Sequence, residues 1–390
     1  MAVNLIRNSR VFFTTNVDSQ GRVRAGAYKD SNTYPFTTSN TWEIQVLEGM
    51  TFSQNTTVDT VTLNEAGATP ARGQRSFNTA LEPLDFSFST YLRPFNSGST
   101  VTAEERFLWN AFAGQAAIGT GGAAWTDGAG SATLSLAQSN KHQLQAFGLI
   151  IVFDDLAYVL DNCALDTATI DFGIDAIANV QWGGKGSLIR QLAISADQSN
   201  PVVLSGADIA TDVGDTGAAA SKNTQAKYIT NKLTTLQVND TIGDFTGSDY
   251  TVPITGGNIT FSNNLTYLTP ANLGVVNLPI TYFTGTRSVT GTLTAYLRSG
   301  STNTGGLLNG LLANAANEID PDYAINIQMG GGTNSTRVDI KLPAAMLQIP
   351  TVNTEQVIST TITFTGQGST GTAFDIDAAN EAAIEYYATV

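Results

Sequence analysis

The chain has 390 residues, of which 42% are hydrophobic, so it is long enough to build extensive cores. Its 33 acidic and 19 basic residues give a net charge of -14, which argues against a protein that grips nucleic acid phosphates through a basic face. The single cysteine, Cys163, excludes an intrachain disulfide.

The N-terminus and the longest apolar run indicate in which cellular compartment the protein is expected to fold. MAVNLIRNSRVFF at residues 1–13 lacks the continuous apolar core and the small-residue cleavage site of a signal peptide. The apolar run AFGLIIVF at residues 146–153 is far shorter than the ~20 residues that a membrane-spanning helix needs. We therefore expect synthesis and folding in a reducing cytoplasm, without a membrane span.

Most of the chain has the composition of β-strands. Threonine, asparagine, valine, isoleucine and aromatic residues predominate, and glycine interrupts them often. LDFSFSTYL at residues 84–92 alternates apolar and small polar residues with a period of two, and so does VTGTLTAYL at residues 289–297. Both segments are predicted to be half-buried strands, and Tyr-Leu-Arg closes both.

A predicted helix follows each of these strands. TAEERFLWNAFAG begins with Thr102 and has Glu105 three residues later, the reciprocal capping pattern of a helix start, and Gly114 ends it. GGLLNGLLANAA at residues 305–316 repeats the spacing of the apolar residues. Each segment is predicted to be a short helix with one apolar face. The residues expected on the core-facing sides are Leu108, Trp109, Phe112, Leu307, Leu308 and Leu311.

Several segments occur twice, in the same order. MTFSQN at residues 50–55 returns as ITFSNN at residues 259–264. The stretch at residues 163–187 matches the stretch at residues 345–369 without a gap, and both finish on an aromatic residue followed by Gly-x-Gly-Ser. The offset between matched positions falls along the chain because the first copy carries the longer loops. Matched segments in a fixed order indicate a tandem duplication.

The duplication predicts four parts. Residues 1–193 form the first copy and residues 227–369 form the second. Residues 194–226, rich in glycine, alanine, serine and aspartate without a sustained period, are interpreted as a linker. Residues 370–390 have no counterpart in the first copy and are expected to pack on a neighbouring surface.

The sequence offers few residues for chemistry. His142 is the only histidine, and with Cys163 it leaves too few ligands for a structural zinc site. No Gly-x-Ser-x-Gly elbow is present for a nucleophile. GTGGAA at residues 119–124 follows a helix instead of joining a strand to one, so it is interpreted as a loop. DIDAANE at residues 375–381 lacks the glycine and the spacing of a calcium loop. We expect no catalytic, cofactor or metal site, and a function exerted through surfaces.

The order of these segments resembles the major tail tube proteins of long-tailed bacteriophages. It runs from a strand ending in Tyr-Leu-Arg through a short helix and long paired strands to a closing strand that ends in Gly-x-Gly-Ser. ATIDFGIDAIANVQWGGKGS at residues 168–187 is similar to the closing segment of that family's domain. The resemblance runs from about Leu5 to Ser369, twice over. It implies a mainly β fold of two tandem tail-tube-like β-sandwich domains, each with one short helix, whose hairpins join those of neighbours into a continuous barrel.

The resemblance also implies a function. The protein would be a structural component of the virion tail, made in the host cytoplasm, whose rings stack into the tube through which DNA is ejected. Rings of this family need about six copies of the domain to close, so a chain with two copies is expected to form rings of three. The implied partners are other copies of the chain, the tail terminator, the baseplate or tip and the tape-measure protein, with DNA passing through the lumen without specific binding. The residues expected in the barrel strands and the ring interface are Phe86, Phe88, Tyr91, Leu293 and Tyr296.

Three alternatives stay open on the sequence alone. One is another virion or surface structural protein, such as a capsid-associated, fibre or adhesin module. The second is a secretion-system tube, normally built with one copy of the domain per chain. The third is a carbohydrate-binding or carbohydrate-active β protein, because Asp154 and Asp155 form an adjacent acidic pair and four tryptophans are present. The pair is more simply a strand end that meets solvent. The tryptophans are Trp42, Trp109, Trp125 and Trp182.

Overall fold

A computed structural model gives the fold. The residues that it describes are 9–23, 40–61, 74–118, 120, 122–136, 143–153, 156–192, 227–317, 322–332, 335–354, 357–371 and 380–389. The sequence features that lie outside these ranges are His142, the pair Asp154 and Asp155, the linker at residues 194–226 and most of the acidic segment at residues 375–381.

The described residues are mainly β, as predicted, with two α-helices. We refer to residues 9–192 as the first half and to residues 227–389 as the second half. The strands of the first half are β1 (Arg10–Thr14), β2 (Thr41–Ile44), β3 (Thr51–Ser53), β4 (Thr56–Val61), β5 (Arg75–Leu81), β6 (Leu84–Tyr91), β7 (Pro94–Ser97), β8 (Thr100–Ala103), β9 (Trp125–Thr126), β10 (Ala132–Ser135), β11 (Phe147–Phe153), β12 (Leu156–Asp171), β13 (Asn179–Gly186) and β14 (Leu188–Leu192), and its helix is α1 (Arg106–Ala113).

The second half is built from similar elements. Its strands are β15 (Thr235–Asn239), β16 (Tyr250–Thr251), β17 (Ile254–Ser262), β18 (Thr266–Leu268), β19 (Thr281–Phe283), β20 (Ser288–Tyr296), β21 (Asp322–Met329), β22 (Arg337–Leu347), β23 (Thr351–Thr354), β24 (Ile358–Gln367) and β25 (Ala383–Tyr387), and its helices are α2 (Thr304–Asn317) and a short 3-10 helix (Asn231–Leu233).

The two halves have the same strand order. In the first half, hydrogen-bonded neighbours run β3–β6–β13–β12–β11–β1–β2. In the second half they run β17–β20–β24–β22–β21–β15–β16. A further strand pairs with the N-terminal part of the fourth strand in each series, β14 with β12 and β25 with β22. Each of these strands therefore has a counterpart at the same place in the other half.

Alternating burial gives the central strands one apolar and one polar face. On β6, Leu84, Phe86 and Phe88 are buried, while the residues between them are more exposed. On β20, Leu293 and Ala295 are buried in the same way. The period of two arises because successive side chains of a strand point to opposite faces of the sheet.

Helix α1 begins later than its capping pattern predicts. Thr102 lies in β8, where it pairs with Phe95, and its buried hydroxyl has no hydrogen-bond partner. Glu105 is the N-cap residue, and no side-chain cap bond is formed. The predicted cap at Thr102 is wrong because the β7–β8 hairpin, a tertiary feature, holds that residue in an extended conformation.

Helix α1 is buried more completely than a helix with one core-facing side, and the predicted Leu108, Trp109 and Phe112 are all among its buried residues. Every residue from Phe107 to Ala113 is buried. Trp109 explains this, because its ring lies 4.7 Å from that of Trp182 on β13, while its indole nitrogen bonds Tyr386 on β25. The helix is therefore enclosed from two sides. In α2, Leu307 and Leu311 are buried, and Leu308 is half-buried.

Candidate assembly edges

The two halves of the chain join through a direct strand pairing. The C-terminal part of β12 pairs antiparallel with β17, from Thr167 opposite Ser262 to Asp171 opposite Asn258. The same part of β12 pairs with β13 on its other side, and β17 pairs with β20. The sheet thus continues from one half into the other. We call this β12–β17 pairing the internal seam.

The core side of the internal seam is sealed. Ile170 on β12 and Phe261 on β17 are both 0% exposed. The ring of Phe261 lies 5.9 Å from that of Trp109, so the first half's helix covers the second half's opening strand. The side-chain amide of Asn263 donates hydrogen bonds to the carbonyls of Phe112, at 3.0 Å, and Leu165, at 3.1 Å. Burial of apolar area and satisfied polar groups together stabilise this junction.

Eight strands form the sheet that crosses the internal seam, and we call it the barrel sheet. In order they are β3, β6, β13, the C-terminal part of β12, β17, β20, β24 and β23. Among the described residues, β3 pairs only with β6, and β23 pairs only with β24. β3 is the counterpart of β17, and β23 continues the course of β22, the counterpart of β12. The barrel sheet therefore ends in two open edges that correspond to the two sides of the internal seam.

The edge strands expose apolar side chains where the internal seam buries them. All four residues of β23 are exposed, including Val352 at 38%, and Ile349 just before them is 54% exposed. Phe52 on β3 is half-buried, whereas Ile259 and Phe261 on its counterpart are 0% exposed. Unpaired strands with apolar side chains are templates for pairing with another chain.

The face of the barrel sheet opposite α1 is lined by hydroxyl and amide groups. Thr51 and Ser87 are joined by a 2.8 Å hydrogen bond between their hydroxyls, and Thr169 and Thr260 by one of 3.0 Å. Along the eight strands, the described chain has few charges on this face. They are Asp85, Asp171 and Lys185.

Comparison with known proteins gives a family for this arrangement. No protein-family model matches the chain. Over 388 residues it is 31% identical to tail tube protein pb6 of Escherichia phage T5, and the alignment covers 98% of this chain and 75% of pb6. The chain belongs to the phage tail tube proteins. The protein with this open-edged β-sheet is therefore a structural component of a phage tail.

The structure places the predicted interface residues of this tail tube protein away from the two open edges. Phe86, Phe88 and Leu293 are buried on the apolar face of the barrel sheet. Tyr91 and Tyr296 lie on the polar face, near the ends of β6 and β20. The predicted interface residues do not include any from the edge strands β3 and β23, although β3 lies within the repeated MTFSQN segment and its counterpart β17 contains most of ITFSNN. That repeat was the sequence signal for the edge.

The C-terminal strand of the tail tube protein connects the halves a second time. β25 pairs with β22 on one edge and with β10 on the other. Tyr386, fully buried on this strand, accepts a 2.6 Å hydrogen bond from Trp109 and bonds the carboxyl group of Glu105. Within the segment at residues 370–390, which was predicted to pack on a neighbouring surface, Ala383–Tyr387 thus form an integral strand of the sheet.

Two carboxyl groups are buried where β25 meets α1. Burial raises the pKa of Glu105 to about 7, opposed by hydrogen bonds from Tyr386 and from the backbone N–H of Arg93. Burial likewise raises the pKa of Glu104 to about 7, although the guanidinium of Arg93 lies 3.0 Å away and lowers it. Loss of solvent disfavours the ionised form of both carboxyl groups, and this raises both pKa values.

The described residues also bear on the other functional classes. Trp109, Trp125 and Trp182 are 0–1% exposed, so they offer no surface on which a sugar could stack. No group of three or more histidine, cysteine, aspartate and glutamate side chains is placed to hold a metal ion in the described ranges. None of the helices in those ranges combines the length and the apolar character needed to cross a bilayer.

Proposed function

We propose that this protein assembles into stacked rings that form the tube of a phage tail, through which DNA is ejected. The observation that carries the proposal is the match between the internal seam and the two open edges. If β3 of one chain pairs with β23 of the next, the internal seam is repeated between chains. A ring built in this way is a closed barrel without free strand edges, which removes the aggregation hazard of the isolated chain.

We infer three chains per ring. The common strand order supports the tandem organisation, with residues 1–193 as the first tail-tube-like unit, 194–226 as a linker and 227–369 as the second unit. Each half contributes four strands to the barrel sheet, so three chains supply six four-stranded units. A head-to-tail interface whose rotation completes a circle gives such a closed ring.

The symmetry of the ring is threefold in this proposal, because its seams alternate between two kinds. The internal seam is crossed by β25, which binds β10 of the first half. The second half has only residues 318–321 between α2 and β21, too few for a counterpart of β9 and β10. The seam between chains therefore lacks this additional strand contact.

The polar face of the barrel sheet lines the channel in this proposal. Helix α1 and strands β1 and β11 lie on the other face, which places them outside. DNA in the lumen would then meet hydroxyl and amide groups, with Lys185 as the cation that the described barrel strands contribute. Since nucleic acid affinity depends on neutralising many phosphates, such a lining holds DNA weakly and lets it pass. The family resemblance adds the tail terminator, the baseplate or tip and the tape-measure protein as partners.

Electron microscopy of the purified protein tests the proposal. We expect hollow rings or filaments, with threefold symmetry in averaged end-on views and the helical layer on the outside. Six chains per ring, or a half that projects from the wall, would overturn the stoichiometry. Absence of rings and filaments under all assembly conditions would overturn the tube function itself.

A further inference from the structure

Each half inserts a β-hairpin between the first two strands of its part of the barrel sheet. In the first half this is the β4–β5 hairpin, between β3 and β6. In the second half it is the β18–β19 hairpin, between β17 and β20. The two hairpins are counterparts, yet their surroundings differ.

The β18–β19 hairpin crosses the internal seam and lies on the first half. The hydroxyl of Tyr267 donates a 2.6 Å hydrogen bond to the carbonyl of Asn162, and that of Tyr282 donates a 2.8 Å bond to the carbonyl of Leu144. Just before β18, Leu265 packs in a buried apolar cluster with Leu144 and Ala164. The surface that this hairpin covers is the part of β12 that pairs with the end of β13.

The loop between β18 and β19 reaches further, to the other hairpin. The backbone carbonyl of Asn277 accepts a 2.8 Å hydrogen bond from the N–H of Leu81, and the Asn277 N–H donates to Thr79 at 3.2 Å. The second hairpin thus spans the first half and ends at the base of the first hairpin. Within this chain, a hairpin of one half therefore packs over the other half and contacts the other hairpin.

Apart from the contact of its base with Asn277, the β4–β5 hairpin is largely exposed in the described chain. All six residues of β4 are exposed, and Val58 is 48% exposed, whereas Tyr267 on its counterpart is 8% exposed. On β5, Phe77 is 44% exposed. The register places Val58 opposite Asn78 and Phe77 opposite Asp59, so each face of the hairpin presents one of these apolar side chains.

The second half has an uncovered surface at the corresponding place. The end of β22 pairs with β24 as the middle of β12 pairs with β13. Met346 on this part of β22 is 43% exposed, and Thr365, opposite it on β24, is also exposed. In the first half, Ala164 and Leu165 at the equivalent ladder are 0% exposed.

We propose that the β4–β5 hairpin of one chain lies over the β22–β24 ladder of the neighbouring chain, where Val58 or Phe77 covers Met346. The partner is a second copy of this protein, and the inference rests on the proposed ring. The β18–β19 hairpin shows the geometry, since it makes the same crossing at the internal seam. In the ring, each hairpin then packs over the adjacent unit, and together the hairpins form a continuous band around one end.

Cysteine cross-linking in assembled tubes tests this contact. The native Cys163 is buried and bonds the Leu160 carbonyl, so introduced surface cysteines can be addressed separately. Two double variants, Val58→Cys with Met346→Cys and Phe77→Cys with Met346→Cys, are treated with a short bismaleimide. We expect at least one of them to give cross-linked dimers and trimers of the chain. Mixing isotopically labelled and unlabelled chains before assembly shows that the cross-link joins different chains.

The matched control pairs each hairpin cysteine with Leu312→Cys, which lies on α2 and is 49% exposed, similar to Met346. We expect at least tenfold less cross-linking there. Threefold rings without cross-links at position 346, with equal cross-linking to position 312, or with links only inside one chain, would overturn the inference and leave the ring standing. Failure of the unmodified protein to form rings would overturn both.

Discussion

Trp109 and Tyr386, 277 positions apart in the sequence, are joined by a 2.6 Å hydrogen bond from the indole N–H to the phenol oxygen. The bond connects the helix of the first half to the last strand of the chain. Because Tyr386 also bonds the buried carboxyl of Glu105, its hydroxyl satisfies two polar groups that have no access to water. The two halves are thus held together by a buried polar network as well as by strand pairing.

Removing this hydroxyl tests the network. Tyr386→Phe leaves the Trp109 N–H without its partner and removes one of the hydrogen bonds to Glu105. An unsatisfied buried group costs about 1–3 kcal/mol. We expect a loss of that size in the free energy of unfolding, measured by urea denaturation of the unassembled chain. Tyr296→Phe is the matched control, because its ring is 48% exposed and its loss should change the stability by less than about 0.5 kcal/mol. Equal effects of the two substitutions would contradict the role of the network.

The buried Glu105 predicts a pH dependence of stability. Its pKa is raised from 4.5 to about 7 in the folded chain, so between these values the folded state binds more protons than the unfolded state. Stability is therefore highest below pH 4.5 for this group and falls as the pH rises through about 7. Since one pKa unit corresponds to about 1.4 kcal/mol, the loss is on the order of 3 kcal/mol.

Glu105→Gln isolates this contribution, because the amide does not titrate. We expect the difference in unfolding free energy between variant and wild type to change over this pH window and to level off above it. The measurement is a series of denaturant titrations from pH 4 to pH 8. A difference that stays constant with pH would show that folding does not shift the pKa of Glu105.

The alternation along β6 predicts opposite outcomes for neighbouring positions. Phe88→Asp places a carboxylate in the core beneath α1 and removes a buried ring, so we expect a loss of at least about 4 kcal/mol. Ser89→Asp, one residue further on the polar face, should cost less than about 1 kcal/mol. Thermal melting of both variants is the measurement. Similar melting temperatures would mean that β6 does not divide a core from a solvent face.

Local patterns explain why some of this architecture could be predicted from the sequence. The period of two on β6 and β20 is a property of neighbouring residues, and it marks the buried side of each strand without any knowledge of the partner. The cap at Thr102 failed because β7 holds this residue in a strand, and such pairing is not visible in a four-residue motif.

The assembly edges could not be located in this way. An edge is defined by the absence of a neighbouring strand, so β3 and β23 can be recognised only when the whole ladder order is known. The pairing of β25 with β10 could not be predicted either, because it spans about two thirds of the chain and leaves no local signature in the sequence. The common strand order of the two halves is the useful clue, because it allows a covered strand in one half to be compared with its uncovered counterpart.

The open edges give the sharpest test of ring closure. Val352→Lys on β23 and Phe52→Lys on β3 each place an ammonium group where the internal seam has fully buried side chains, such as Phe261. A lone chain tolerates the change because a lysine at a partly exposed site keeps its charged end in water. Closure of the seam would bury that charge, so we expect each variant alone to stay monomeric in sedimentation and microscopy. Leu312→Lys, at an exposed site on α2, should assemble like the wild type. Mixing the two variants tests whether β3 and β23 pair with each other. In an equimolar mixture, the Val352→Lys chain retains a functional β3 and the Phe52→Lys chain retains a functional β23, so one intact seam can form. The mixture should therefore yield dimers of chains and no rings, because the blocked edges remain at both ends. Rings formed by either variant alone, or a mixture that stays monomeric although both chains are folded, would show that β3 and β23 do not pair with each other.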